Sequence, residues 1–213
     1  MKVCSICGNT SFGHGPNGRT SFDGVSLPRC TRCQSLERHR AMRDFWKRFP
    51  TEFLKDKSVL QFSPDRSVEA HWFKKYEVSI YGGENSIDIQ NINRPDNSYD
   101  LVICIHVLEH ISNDKLALRE MLRVIKPSGF VLLAVPSPFH REKTADWGYP
   151  KQEEHGHYRI YGSDMDVLLL DKVVDNSCYY KVVVEDTVTN SQDCVYLLSK
   201  DASVISTLKK YVV

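Results

Sequence analysis

The 213-residue sequence predicts an α/β fold: a mostly parallel sheet preceded by a small N-terminal cysteine-knuckle module. Three observations carry this. Apolar runs at 58–62, 101–105 and 130–135 lack polar alternation, as strands covered on both faces of a parallel sheet do. Between the latter two, Leu118, Met121, Leu122 and Ile125 recur at helical spacing, so the segment reads strand, helix, strand. Two Cys-x-x-Cys pairs, Cys4 with Cys7 and Cys30 with Cys33, open the chain.

The two pairs are separated by residues 8–29. Each places two thiolates on one tight turn, and two such turns complete a tetrahedral sulfur shell around Zn²⁺. Gly8 follows the first pair, where a backbone without Cβ lets amides approach sulfur. The intervening loop is turn-rich (Gly13, Gly15, Pro16, Asn17, Gly18) and cannot bury a core unaided, so zinc supplies the stability. Disulfides or a redox dithiol are the competing readings; a cytosolic setting disfavours the first and the paired knuckles the second. Four protein ligands leave no open position, so the zinc is structural. Cys104, Cys178 and Cys194 have no such partner and read as small buried residues.

Ser35 caps an expected helix reaching about Phe49, with Met42, Phe45, Trp46 and Phe49 as its buried stripe. Ser58–Phe62 is the first core strand, and Ser63-Pro64-Asp65 turns it into a helix carrying Val68, Trp72 and Phe73 inward. Tyr76–Tyr81 is the second strand, closed by Gly82-Gly83. Ser86–Ile89 follows too soon for a parallel crossover, so a third strand there is expected to be stunted. After strand 101–105, the next helix is expected to end at Pro127 and Gly129, before strand 130–135. Residues 137–160 read as a long loop, Ser163–Leu170 as a helix, and Tyr179–Val184 with Cys194–Leu198 as a terminal antiparallel pair. The expected division is a module with its linking helix at 1–50 and a main domain at 51–213.

Formal charge is +1, which argues against a nucleic-acid partner. The local cluster Arg29, Arg32, Arg38, Arg40, Arg43, Lys47 and Arg48, opposed only by Glu37 and Asp44, reads as a solvated helix face. No run approaches the roughly 18 apolar residues of a membrane span. Met1-Lys2-Val3-Cys4 opens no signal peptide, so the expected compartment is the cytoplasm.

Asp100–Cys104, His106–His110, Ala117–Glu120, Arg123–Pro127 and Gly129 together resemble the fourth-to-fifth-strand region of class I S-adenosylmethionine-dependent methyltransferases. The chain is similar to a bacterial, type 11-like subfamily that adds a four-cysteine zinc site and a Ser-Leu-Glu-Arg-His-Arg helix, here Ser35–Arg40. The resemblance covers most of the chain and implies a Rossmann-like methyltransferase sheet. It also implies S-adenosyl-L-methionine (AdoMet) as cofactor beside structural Zn²⁺ on Cys4, Cys7, Cys30 and Cys33. The implied reaction is methyl transfer to a small-molecule or sugar-like acceptor. Oxygen, as hydroxyl or carboxylate, is preferred because the Asn/Asp-Pro-Pro-Tyr/Phe motif of N-methylating enzymes is missing after the fourth strand.

The same resemblance implies the site residues. Phe62, Ser63 and Pro64 stand where the broad superfamily has a glycine-rich turn, and Glu84 would accept the ribose hydroxyls. Asp88 would face the adenine amino group, Ile89 the ring, and Ile105 and His106 the sulfonium end. His106 is the candidate base or acceptor-orienting group, whereas Glu109 and His110 are expected to cap the following turn. The segment His157-x-Arg159-x-Tyr161-Gly162 matches a subfamily motif; Arg159 would pair with an acceptor carboxylate or phosphate, and His157 or Tyr158 would take a proton. A second metal beside His155 and His157 is not expected, because three ligands of an open site are not evident. The alternatives are an RNA methyltransferase that grips RNA through the zinc module, and a non-catalytic module that kept the fold but lost AdoMet.

Overall fold

The computed structural model describes residues 1–83, 85–136 and 138–213. Strands β1 (Phe12–Gly13) and β2 (Arg29–Cys30) pair antiparallel and frame the cysteine module. Helix α1 (Glu37–Trp46) is not capped by Ser35. Its first turn is closed by His39, whose Nδ1 accepts from the Leu36 amide at 2.9 Å. The Ser35 hydroxyl is engaged elsewhere, 3.4 Å from Cys4 Sγ and 3.1 Å from Cys33 Sγ. A short helix α2 (Thr51–Lys55) leads into β3 (Ser58–Phe62).

Strands β4 (Lys75–Ser79), β5 (Tyr99–Ile105) and, after helix α3 (Asp114–Val124), β6 (Ile125–Ala134) join β3 in parallel. The hairpin β7 (Ala145–Lys151) and β8 (His157–Ile160), a single turn α4 (Met165–Leu168), and strands β9 (Tyr179–Glu185) and β10 (Gln192–Leu198) follow, before helix α5 (Ala202–Val212). The central order is β4-β3-β5-β6-β10-β9, with β10 antiparallel to both neighbours. This is the α/β, mostly parallel, Rossmann-like sheet expected from the sequence.

Several elements differ from expectation, each for a local reason. No helix begins at Asp65, whose carboxylate instead holds the Ser67 amide at 2.7 Å in a turn; only a 3-10 turn follows at Ala70–Trp72. Residues 86–89 form no strand. The Ser79 hydroxyl accepts from the Ile87 amide at 2.9 Å and folds the segment back, so that Ile87, Ile89 and Ile92 cover the core. Helix α3 stops at Val124, and Pro127 enters β6 beside a register shift against β5. A Cβ on Gly129 would sit 2.9 Å from the Asp100 carbonyl, so glycine is what lets the strands approach there. The expected loop at 137–160 contains the β7–β8 hairpin, and α5 had no sequence-based assignment.

The sheet is covered on both faces. Leu60, Val102, Leu118, Met121 and Leu133 belong to one core; Met42, Phe45, Trp46, Leu101, Ile103, Phe130 and Leu132 belong to the other. Helix α1 therefore packs as part of the sheet's own core. Cys104 and Cys194 are buried apolar residues, as expected. Among the described residues, no helix is long and apolar enough to cross a membrane.

Candidate active site

The order β4-β3-β5-β6 makes the carboxyl ends of β3 and β5 a topological switch point, where open α/β sheets bind ligands. Both strands end in a non-glycine residue in the left-handed region: Ser63 at φ 63° and His106 at φ 53°. This conformation costs an L-residue about 1–2 kcal/mol and is retained where surrounding structure over-determines it. At Ser63 the scaffold is visible. The Ser63 amide donates to the Ser79 carbonyl at 2.9 Å, and the buried Gln61 amide donates to the Ser63 carbonyl at 2.9 Å. The Tyr76 hydroxyl in turn donates to Gln61 Oε1 at 2.8 Å. Gln61 and Tyr76 thus hold a turn that needs no glycine.

The other residues expected at the cofactor divide by burial. Ser63, Pro64 and Asp88 are exposed, and Asp88 Oδ1 accepts from the Gln90 amide at 2.8 Å. Among the described residues Asp88 Oδ2 has no hydrogen-bond partner. Phe62, Ile89 and Ile105 are 3%, 2% and 6% exposed, with side chains in the sheet cores. Ile89 is a core residue in the segment that carries Asp88. Glu84 lies outside the described residues.

At the outer end of this crevice a cavity of about 420 Å³ opens between the cysteine module and the sheet. Its walls include Arg38 from α1, His106 and Glu109 after β5, His157 from β8, and Asp193 from β10. His106 Nδ1 lies 3.7 Å from Glu109 Oε1, and its Nε2 lies 4.0 Å from Asp193 Oδ2. Burial dominates these groups. It holds the His106 pKa well below the ordinary histidine value, with Arg38 and the neighbouring histidines acting in the same direction. Burial also pushes Glu109 up to about 8 and Asp193 up to about 7, against the opposing field of Arg38. A neutral imidazole therefore stands at the strand end.

Arg38 forms no hydrogen bond or ion pair among the described residues, and its Nε is buried without a partner. Its neighbours Arg40 and Arg43 are ion-paired, although Arg43 Nε is likewise buried without a partner among the described residues. Arg40 is 0% exposed and bidentate to Asp186, and Arg43 bridges the Arg66 carbonyl and Glu69. The expected solvated basic face is thus corrected: Arg40 and Arg43 turn inward to dock the helix, and Arg38 lines the cavity.

Arg159 also departs from expectation. It is 4% exposed; Nε donates to Asp146 at 2.9 Å, Nη1 to the Ile111 carbonyl at 2.6 Å and Nη2 to the Ser112 carbonyl at 2.9 Å. Three of its five N–H donors are used in clamping β8 onto the turn after β5. His157, two residues earlier on the same strand face, is carried to within 4.5 Å of His110, ring centroid to centroid. Burial holds His157 down at about 4, assisted by His110 and His155. Glu109 and His110 do not cap α3; Asn113 does, accepting from the Leu116 amide at 3.0 Å.

In the N-terminal module, Cys4 and Cys33 sulfurs are 3.7 Å apart, and Cys7 and Cys30 sulfurs 3.5 Å apart. Sulfurs about 2.3 Å from one tetrahedral ion sit about 3.8 Å apart, so the cluster has the dimensions of a four-thiolate zinc shell. The knuckles are alike: amides of Gly8 and Gln34 donate to the Cys4 and Cys30 carbonyls at 2.8 and 3.0 Å, at φ 75° and 60°. The Cys30 thiol is held at about 6. Burial raises it, but the Cys33 and Arg32 amides and Asn9 lower it further. All four cysteines are free of disulfides.

Comparison with known proteins agrees with this architecture. A family described as "Methyltransferase domain" matches residues 35–166, more than half of the chain. A ubiquinone biosynthesis O-methyltransferase of Rickettsia akari is 34% identical over 74 residues, 32% of this chain. That match spans only 28% of the relative's own length. The structure of an S-adenosylmethionine-dependent methyltransferase from Thermotoga maritima, described as a possible histamine N-methyltransferase, aligns with TM-score 0.51 at 12% identity. It covers 76% of this chain and 89% of that one. The [4+2]-cyclase SpnF aligns with TM-score 0.50 at 13% identity, covering 92% and 90% of the two chains. At these identities the structural likeness concerns the fold, whereas the family match rests on sequence across most of the sheet. The chain belongs to the methyltransferase-domain family.

Proposed function

We propose that this protein transfers the methyl group of AdoMet to an oxygen of a small, anionic acceptor held in the cavity between Arg38 and His106. One observation carries the reading: His106, at the switch-point end of β5, lines the same cavity as Arg38, whose guanidinium has no partner among the described residues. The crevice suits AdoMet because Ser63 exposes its hydroxyl and backbone at the turn, and Asp88 keeps one carboxylate oxygen free among the described residues. Ser63 and Pro64 would border the methionine part, Asp88 the adenine, and Glu84 retains its sequence-based assignment to the ribose. When bound, AdoMet supplies an electrophilic methyl on sulfonium.

His106 would accept the proton of an acceptor hydroxyl, a role suited to an imidazole kept neutral by burial. Arg38 replaces Arg159 as the anion-recognising group, since an unpaired buried donor calls for an acceptor. His157 lines the same cavity and would contact the acceptor. A small-molecule partner is favoured over RNA because Arg40 and Arg43 of α1 face inward. We assign structural zinc to Cys4, Cys7, Cys30 and Cys33. The zinc module would occupy residues 1–34 rather than 1–50, because α1 lies in the sheet's core. The module would then form one wall of the acceptor cavity through Arg19 and Phe22.

The test is transfer of labelled methyl from AdoMet to a panel of hydroxylated carboxylic acids and phosphates and their neutral analogues. Anionic acceptors should be preferred, and Arg38→Gln should raise their KM more than about tenfold while leaving kcat within a few-fold. An unchanged KM would remove Arg38 from the account.

A further inference from the structure

We infer that Glu109, His110 and His157 form a divalent-metal site that opens into the acceptor cavity and takes a borderline transition ion such as Zn²⁺, Fe²⁺ or Co²⁺. One ligand atom from each of the three residues lies within 4.8 Å of the others. The His110 and His157 rings meet edge-on, at 85° with centroids 4.5 Å apart. Two features mark the arrangement as incomplete on its own. Glu109 is 1% exposed and its Oε2 has no partner among the described residues; His157 Nδ1 is likewise buried without one there. A buried carboxyl group without a hydrogen-bond partner is costly, and a cation is the partner that satisfies a carboxyl group and two imidazoles together.

The donor set matters. Two imidazoles and one carboxylate, at bonds of about 2.0–2.2 Å, are a familiar open-site combination that leaves a coordination position for water or substrate. The open side here is the cavity, which Glu109, His110 and His157 line together with His106 and Arg38. The frame is rigid, because Arg159 ties β8 to the Ile111 and Ser112 carbonyls just after the two β5-side ligands. The sequence hides the site: its three ligands come from two segments joined only by that clamp.

The site deepens the proposed reaction and, in its chemistry, rests on that reading. An acceptor hydroxyl on the ion would be acidified and lose its proton to His106. Its oxygen then forms a bond to the methyl carbon as the carbon–sulfur bond breaks. The sulfur keeps the electron pair, giving S-adenosylhomocysteine, and His106 releases the proton to solvent.

The test titrates the zinc-loaded full chain with Co²⁺ alone and follows visible absorption, with AdoMet binding measured separately by calorimetry. One equivalent of Co²⁺ should bind with d–d bands but without thiolate charge-transfer bands. Glu109→Gln, His110→Ala and His157→Ala should each weaken binding more than about tenfold. His110 is exposed and His157 half-buried, so His110→Ala and His157→Ala test the site even where Glu109→Gln fails to fold. Absent Co²⁺ binding, or binding indifferent to His110→Ala and His157→Ala, would overturn the site. AdoMet binding without Co²⁺ binding would sink the metal site alone. Co²⁺ binding without AdoMet binding would leave the site standing and sink the methyl-transfer reading.

Discussion

Arg40 and Asp186 form a fully buried, bidentate pair, with Nε–Oδ1 2.8 Å and Nη2–Oδ2 2.7 Å. The guanidinium also donates to the Pro28 and Ser35 carbonyls, and Asp186 accepts from Thr189. One residue thereby ties the cysteine module, α1 and the turn between β9 and β10 together. Removing one partner strands a buried charge. Arg40→Met should cost about 3–5 kcal/mol in urea unfolding, and Arg40→Met with Asp186→Leu should recover much of it. A double variant no better than the single would show that the link is not ionic.

His39 makes stability pH-dependent. Burial holds its pKa at about 4, against Asp65, and its Nδ1 accepts the Leu36 amide only while neutral. The folded value lies below the unfolded one near 6.5, so the unfolded chain binds more protons between them. Stability should be complete above about 6.5 and fall as pH drops toward 4, by up to about 3 kcal/mol from this group. His39→Gln should flatten that part of the profile. Denaturant midpoints measured from pH 4 to 8 check it.

Chelation tests the cysteine cluster. Arg66 donates to the Cys33 carbonyl at 3.0 Å and Arg19 pairs with Glu37 at 2.8 Å, so the module is docked on the sheet domain. Stripping zinc, or Cys30→Ser, should unfold residues 1–34 and open the cavity wall while the sheet persists. Hydrogen exchange should report loss of protection confined to the module and the first turn of α1. Protection unchanged by chelation would refute a structural metal.

The glycine-free turn gives a paired prediction at Ser63. Ser63→Val places a β-branched residue at φ 63° and should cost about 1–2 kcal/mol beyond any lost hydroxyl contact, whereas Ser63→Gly should be tolerated. Denaturation and AdoMet calorimetry on both variants check this. Equal behaviour would mean that the turn rearranges.

Regular, continuous signals were legible in the sequence. Unbroken apolar runs and one clean helical stripe placed β3, β5, β6, β9, β10 and α3 within a few residues, and thiol spacing placed the cysteine cluster. What failed depended on contacts distant in sequence. The inward turn of Arg40 is decided by Asp186, and the occupation of Arg159 by carbonyls at 111 and 112. Hairpin β7–β8 carries Gly148 and Pro150, whose composition reads as loop while pairing overrides it. Arg38 had a signal only in retrospect: among the described residues, no side chain or carbonyl pairs with this arginine of Ser35–Arg40.

The central claim is that the crevice at Ser63 and His106 binds AdoMet. Calorimetry of the zinc-loaded chain with AdoMet and S-adenosylhomocysteine, for wild type and Asp88→Ala, tests it most directly. Micromolar binding by wild type, weakened at least about tenfold by Asp88→Ala, is the predicted result. Folded wild-type protein that binds neither compound would contradict the account and leave a methyltransferase scaffold with a non-catalytic role.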